Sequence, residues 1–176
     1  MSDILKAIGN TPIVKLKNIV PVGCGEIYVK LEAFNPTGSK KDRMALSMIL
    51  GAEKRGVLKK GMTVVEYSGG STGAGLAFVC SLKGYNFRLV TADVFGKEKI
   101  DLMRSLGANL EIIKSSNGKI NKELITKMIK KADQISKEPN TFFTNQLNNT
   151  DVIEGFIPLG EEILDQLNGN VDAVCD

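Results

Sequence analysis

Histidine and tryptophan are missing altogether from the 176 residues, and aromatic side chains of any kind make up only 6%. Without histidine the chain lacks the commonest general base and metal ligand, which argues against Ser-His and Cys-His hydrolases and against a His-ligated zinc enzyme. Cysteine is scarce too. Cys24, Cys80 and Cys175 are odd in number and widely spaced, with neither the pairing of a zinc site nor a C-x-x-C redox motif. Buried free thiols are the expectation for all three, and no metal site is expected. No apolar run reaches transmembrane length, and Met1-Ser2-Asp3-Ile4 lacks the basic region and hydrophobic stretch of a signal peptide. The sequence therefore predicts a cytoplasmic chain with no membrane partner. Strong charge of one sign is also absent: Lys+Arg of 23 against Asp+Glu of 20 leaves net +3. Lys127, Lys130 and Lys131 are the one local cluster and fit a solvated helix face, so no nucleic-acid partner is expected. Neither a dinucleotide fingerprint nor a P-loop is present. Gly69, Gly70, Gly73 and Gly75 do not fit G-x-G-x-x-G, and no Gly-Lys-Ser/Thr ending occurs.

What is present is a chain with 43% hydrophobic residues, enough for a real core, of a length that suggests one domain or one and a part. Strand-like and helix-like patterns alternate along it. Residues 8–16 read as a turn and an alternating strand, and 26–31 as a second strand. A helix starts at Asp42 and ends at Gly56. Residues 63–67 form a β-branched strand that runs into a small-residue loop, followed by an apolar helix over 74–82 closed by Gly84. Strands over 86–91, 109–113 and 141–144 then alternate with helices over 97–106, 120–136 and 153–167. Residues 171–175 read as a buried strand. Such alternation predicts an α/β fold, with a parallel sheet covered on both faces by helices in three layers.

Two stretches carry chemical potential. In Asn35-Pro36-Thr37-Gly38-Ser39-Lys40-Lys41-Asp42-Arg43, turn formers give way to a helix start, with Ser39 placed to cap it. Lys41 falls in the first turn, where the positive end of the helix dipole disfavours a cation. A solvated lysine is the plain reading. The sharper one is an amine consumed in a Schiff base, where losing the cation suits the position. The second stretch is Ser68-Gly69-Gly70-Ser71-Thr72-Gly73, between a strand and a helix. Glycines there let a ligand approach the backbone, and amides at a helix N-terminus suit a carboxylate or phosphate. A tight strand-to-helix connection is the plain alternative.

Gly9-Asn10-Thr11-Pro12, the run from Asn35 to Arg43, the loop from Ser68 to Gly73 with Gly75-Leu76-Ala77, and Ser105-Leu106-Gly107-Ala108 occur in this order. Together they resemble the cysteine synthase (O-acetylserine sulfhydrylase) family of fold type II, tryptophan-synthase-β-like, pyridoxal-phosphate-dependent enzymes. The resemblance covers essentially the whole chain. It implies a Schiff base between pyridoxal phosphate and Lys41, which then serves as the base. It also implies a substrate-carboxylate loop made by Ser68, Gly69, Gly70 and Thr72, and a carboxylate contact from Gln146. At position 71 the family places an asparagine on the cofactor's ring hydroxyl, so Ser71 stands at the cofactor contact and is shorter. Gly69 has lost a hydroxyl donor that the family keeps.

The implied reaction is β-replacement on an O-activated serine, O-acetylserine and sulfide giving cysteine and acetate. Cystathionine synthase, diaminopropionate synthase and a dehydratase are the neighbouring activities. A non-catalytic or regulatory module is the reading from another class. Family members run to roughly twice this length, which sets two domains as the expectation. Residues 36–145 are expected to form the small α/β domain, with 1–35 and 146–176 an incomplete part of the larger cofactor domain, so that the chain alone is inactive. Implied partners are a small-molecule amino-acid substrate, a second copy in a homodimer, and serine acetyltransferase.

Overall fold

The computed structural model describes residues 4–175; the start of the stretch read for a leader, residues 1–3, lies outside them, as does residue 176. A short 3-10 turn, Ile4–Ala7, leads to an antiparallel pair, β1 (Ile13–Lys15) and β2 (Tyr28–Lys30), in which Val14 faces Val29. A second 3-10 turn, Glu32–Phe34, precedes helix α1 (Lys41–Lys54). Then come β3 (Thr63–Tyr67), α2 (Ser71–Lys83), β4 (Asn86–Ala92), α3 (Lys97–Ser105) and β5 (Asn109–Ile113). The chain continues through α4 (Lys122–Ser136), β6 (Thr141–Phe143) and α5 (Asp151–Gln166).

Strands β3 to β6 form one parallel sheet in the order β5-β4-β3-β6. Because side chains alternate along a strand and this sheet is covered on both faces, adjacent positions enter different cores. Val64 and Leu89 join Met48, Leu76 and Met103 from α1, α2 and α3. Val65 and Val90 join Leu124, Met128 and Ile135 from α4 on the other face. The α/β reading and the parallel sheet thus hold. Helix α4 starts where its cap is best: the Asn121 side chain accepts from the Leu124 amide at 2.8 Å. Helix α1 packs on α2, and α5 packs on α1 so closely that a Cβ at Gly155 would lie 2.9 Å from the Met44 Cα and the Arg43 carbonyl oxygen.

The strand order fixes where a ligand can enter. The chain moves outward from β3 to β4 to β5 and then crosses to place β6 on the other side of β3. The residues that follow β3 and β6 therefore lie side by side beyond the carboxyl ends of the strands, where open α/β sheets take their ligands. The residues after those two strands are the Ser68 loop and the segment with Gln146.

Three sequence expectations change. Residues 171–175 form no strand; they pair with no other strand among the described residues, and Val174 is left 67% exposed. Their β-branched, apolar character signals a strand only if a sheet edge is available. Cys24 and Cys175 are exposed, and only Cys80 is a buried thiol, pushed well above the ordinary range by that burial. Helix α2 starts at Ser71 rather than Ala74, so Ser71, Thr72 and Gly73 are its first turn. Among the described residues no helix is long and apolar enough to cross a membrane.

Candidate active site

The loop after β3 is organised by its own serine. The amides of Gly70 and Gly73 both donate to Ser68 Oγ at 3.1 Å, which folds the loop back over the start of α2. Ser68 and Thr72 are buried. The amides of Ser71 and Thr72, at the N-terminus of α2, find no acceptor among the described residues. Two open amides at the positive end of a helix make a seat for an anion.

Glycine at position 69 answers to a distant residue. A Cβ there would sit 2.1 Å from the ring of Phe95, in the loop after β4, so the aromatic ring fills the space any side chain would need. At Gly70 the nearest neighbour to an added Cβ is the Lys99 ammonium, at 3.3 Å.

Gln146 is drawn to the same place. Its Nε2 donates to the Tyr67 carbonyl at 3.0 Å, one residue before the loop, and its side chain also hydrogen-bonds the Glu66 carboxylate. Its backbone amide donates at 2.9 Å to Glu66, whose carboxylate also accepts from Thr144 Oγ1 at 2.8 Å and the Tyr67 amide at 2.8 Å. Glu66 is fully buried, and that burial pushes its carboxyl up to about 6 despite these donors. Sequence reading passed over Glu66. The available signal was a carboxylate at an inward position of a strand apolar on both faces.

Lys41 opens α1 with Lys40, not Ser39 as expected, at the N-cap position and no side-chain cap, although the Lys41 amide donates to Ser39 Oγ at 3.2 Å. Its half-buried side chain places Nζ 5.4 Å from the centre of the Phe156 ring on α5. The backbone of this turn touches α2: a Cβ at Gly75 would lie 3.1 Å from the Lys41 carbonyl oxygen and 3.0 Å from Asp42 Oδ1. The lysine-bearing turn and the helix behind the Ser68 loop are therefore in direct contact.

Asp42 and Arg43 brace the turn from beneath. Buried Asp42 accepts from the Thr37 amide at 2.7 Å and from the Thr37 hydroxyl, and burial raises its carboxyl above the usual range. Arg43 Nε and Nη2 donate to Glu32 at 2.8 Å each, while Nη1 and Nη2 donate to Glu162 at 2.7 and 2.8 Å. Lys30 Nζ donates to Glu162 at 2.7 Å. Burial alone would raise Glu162, but Arg43 and Lys30 outweigh it and hold the carboxyl at about 2. The motifs around Asn10 and Asn35 meet here too, with the Gly9 amide donating to Asn35 Oδ1 at 2.8 Å.

The residues present fit one end of pyridoxal phosphate. A half-buried primary amine stands on a turn braced against α2, and Ser71 offers a hydroxyl at the first position of that helix.

The family model for "Pyridoxal-phosphate dependent enzyme" matches residues 4–175. A cysteine synthase of Staphylococcus aureus is 40% identical over 177 residues, covering 98% of this chain and 54% of the relative. The crystal structure of a hydrogen sulfide-producing enzyme from Fusobacterium nucleatum superposes with TM-score 0.88 at 37% identity, over 98% of this chain and 55% of that one. An O-acetylserine sulfhydrylase, isoform 3, from Entamoeba histolytica gives TM-score 0.86 at 33% identity, over 98% and 51%. The chain spans about half the length of the relatives it matches. With a family model matched across nearly every residue, the chain belongs to the pyridoxal-phosphate-dependent enzyme family.

Proposed function

We propose that this chain carries the amino-acid-binding half of a β-replacement enzyme that converts O-acetylserine and sulfide to cysteine and acetate. The observation that carries the reading is the hydrogen bond of Gln146 to the residue before the Ser68 loop, together with the packing of the Lys41 turn on the helix that follows that loop. The open amides of Ser71 and Thr72 and the Thr72 hydroxyl suit the substrate carboxylate, three donors for one anion, with Gln146 bordering the seat. Lys41 would hold the cofactor at Nζ, and the same nitrogen would later take the α-proton, which accounts for acid-base work in a chain without histidine. Pyridoxal phosphate, when bound, supplies the electron sink that makes that proton removable. Ser71 would face the cofactor's ring hydroxyl, and Asp42 and Arg43 would keep the turn in place.

Residues 36–145 would act as the small domain bearing the substrate loop, with 1–35 and 146–176 part of the larger cofactor-bearing one. Family resemblance is also what supports a cytoplasmic homodimer and serine acetyltransferase as a partner. A second reading, another lyase or synthase of the family, is favoured by the Gly69–Phe95 contact, which takes a hydroxyl donor out of the loop.

The test is cysteine formation from O-acetylserine and sulfide by the chain extended to the full length of its relatives. Lys41→Ala should abolish turnover, and Thr72→Ala, which removes the hydroxyl donor and keeps the backbone amide, should weaken amino-acid binding by about 1.5–3 kcal/mol, the loss of one hydrogen bond to a charged group. Undiminished turnover in Lys41→Ala would refute the assignment.

A further inference from the structure

We propose that Glu66 is the positioning residue of the amino-acid site: its buried carboxylate holds Gln146 beside the Ser68 loop. The proposal rests on the reading of that loop and Gln146 as the carboxylate seat. A carboxylate is a costly choice at this position. It lies inside the sheet between Val65 and Tyr67 and level with Leu89 of β4, and an apolar side chain there would serve stability as well or better.

What the carboxylate does that an apolar side chain cannot is visible in its partners. The Tyr67 amide donates to Oε1, while the Thr144 hydroxyl and the Gln146 amide donate to Oε2. Tyr67 ends β3, and Thr144 and Gln146 follow the end of β6. One side chain therefore cross-links two neighbouring strand ends, beyond the last paired residues Val65 and Phe143. Past that pair the sheet's own ladder no longer fixes their separation. The Thr144 amide bond to the Val65 carbonyl at 3.1 Å and the Gln146 side-chain bond to Tyr67 complete the bracket. With Glu66 in place, the Gln146 backbone is pinned and its side chain reaches the base of the loop. Without an acceptor there, the amides of Tyr67 and Gln146 lose their buried partner, and the Gln146 segment has to move to find another.

Glu66→Gln is the informative variant, because it preserves shape while replacing one acceptor oxygen with a donor. Thr144 can rotate its hydroxyl to suit, but a backbone amide of Tyr67 or Gln146 cannot. Two measurements separate the proposal from the functional reading beneath it. The first uses the 176-residue chain alone: amide 1H–15N spectra should show the Gln146 backbone and side-chain resonances displaced in Glu66→Gln, with the α4 amides unmoved. The second uses the cofactor-loaded protein extended to the length of its relatives: affinity for O-acetylserine should fall about tenfold, as for a lost charged hydrogen bond, while cofactor attachment at Lys41 is unchanged. Thr144→Val, which removes one 2.8 Å donor and leaves the charge, should shift both readouts in the same direction by less. It also keeps the test open if Glu66→Gln fails to fold. Gln146 resonances unmoved in both variants, or unchanged amino-acid affinity in a protein that binds the amino acid, would overturn the proposal. If the wild-type protein binds no amino acid at all, the functional reading fails, and the spectra alone decide whether Glu66 holds Gln146.

Discussion

Replacing Arg43 with methionine should be among the most damaging single changes in the chain. The guanidinium is buried, with its side chain 4% exposed, and it is shared by two carboxylates brought from distant segments, Glu32 before α1 and Glu162 on α5. Four donor contacts of 2.7–2.8 Å disappear at once. Glu162 keeps Lys30 and the Asn10 amide, and Glu32 keeps the Thr11 hydroxyl and the Asn35 side chain. Those partners do not replace the lost fork, and breaking a buried ion pair by removing one member costs about 3–5 kcal/mol. Against a total domain stability of about 5–15 kcal/mol, that is a large share. Equilibrium urea unfolding followed by far-ultraviolet circular dichroism measures the loss as a drop in midpoint with the slope unchanged. Arg43→Lys should lose less, since it keeps the charge but reaches only one carboxylate oxygen well. The clasp also sets an acid limit. Glu162, held at about 2, contributes stability that is present above its ordinary 4.5 and lost as pH falls toward 2. Arg43→Met should therefore flatten the acid side of the stability curve. A loss below about 1 kcal/mol, the range of exposed pairs, would show that these ions are solvated and the clasp is not structural.

Gly69→Ser should disrupt the loop because its Cβ would meet the Phe95 ring at 2.1 Å. Adding Phe95→Ala should recover part of the loss, with a coupling of about 1 kcal/mol or more in a double-mutant cycle; additivity would refute the contact. Glu66 predicts a pH dependence of the opposite sign to Glu162. Its folded value, about 6, lies above the ordinary 4.5, so its contribution is fully present below about 4.5 and lost as pH rises through 6. Relative to Glu66→Gln, the wild-type chain should lose about 2 kcal/mol over that interval, measured by urea midpoints; a difference that grows in the wild type's favour would contradict the assignment.

Local patterns carried much of the fold. The β-branched run over Thr63–Tyr67 is decided by neighbours within a few residues and forms the strand its sequence implies, whereas α4 starts two residues later than expected, where Asn121 caps it. The start of α2 was harder to read, because Ser71, Thr72 and Gly73 have loop-like propensities that the packing of Gly73 against Met103 and Leu89 overrides. Residues 171–175 have strand composition, yet a strand needs a neighbour, and composition says nothing about one. At the candidate site the glycines and the lysine stood out as motifs. The reasons behind them did not, since Gly69 is set by Phe95 and Gln146 is held through Glu66, both contacts between residues far apart in sequence. The partners of Arg43, Glu32 and Glu162, were not legible either, being 11 positions before and 119 after it.

The most direct test of the account is which lysine bears the cofactor. Pyridoxal phosphate is added to the chain extended to the full length of its relatives, the product is reduced with borohydride, and the modified peptide is mapped by mass spectrometry. The account predicts one label per chain, on Lys41, lost in Lys41→Ala and retained in Lys40→Ala, and scattered labelling when the 176-residue chain is treated alone. A label on another lysine of the extended protein, or one that survives Lys41→Ala, would contradict it.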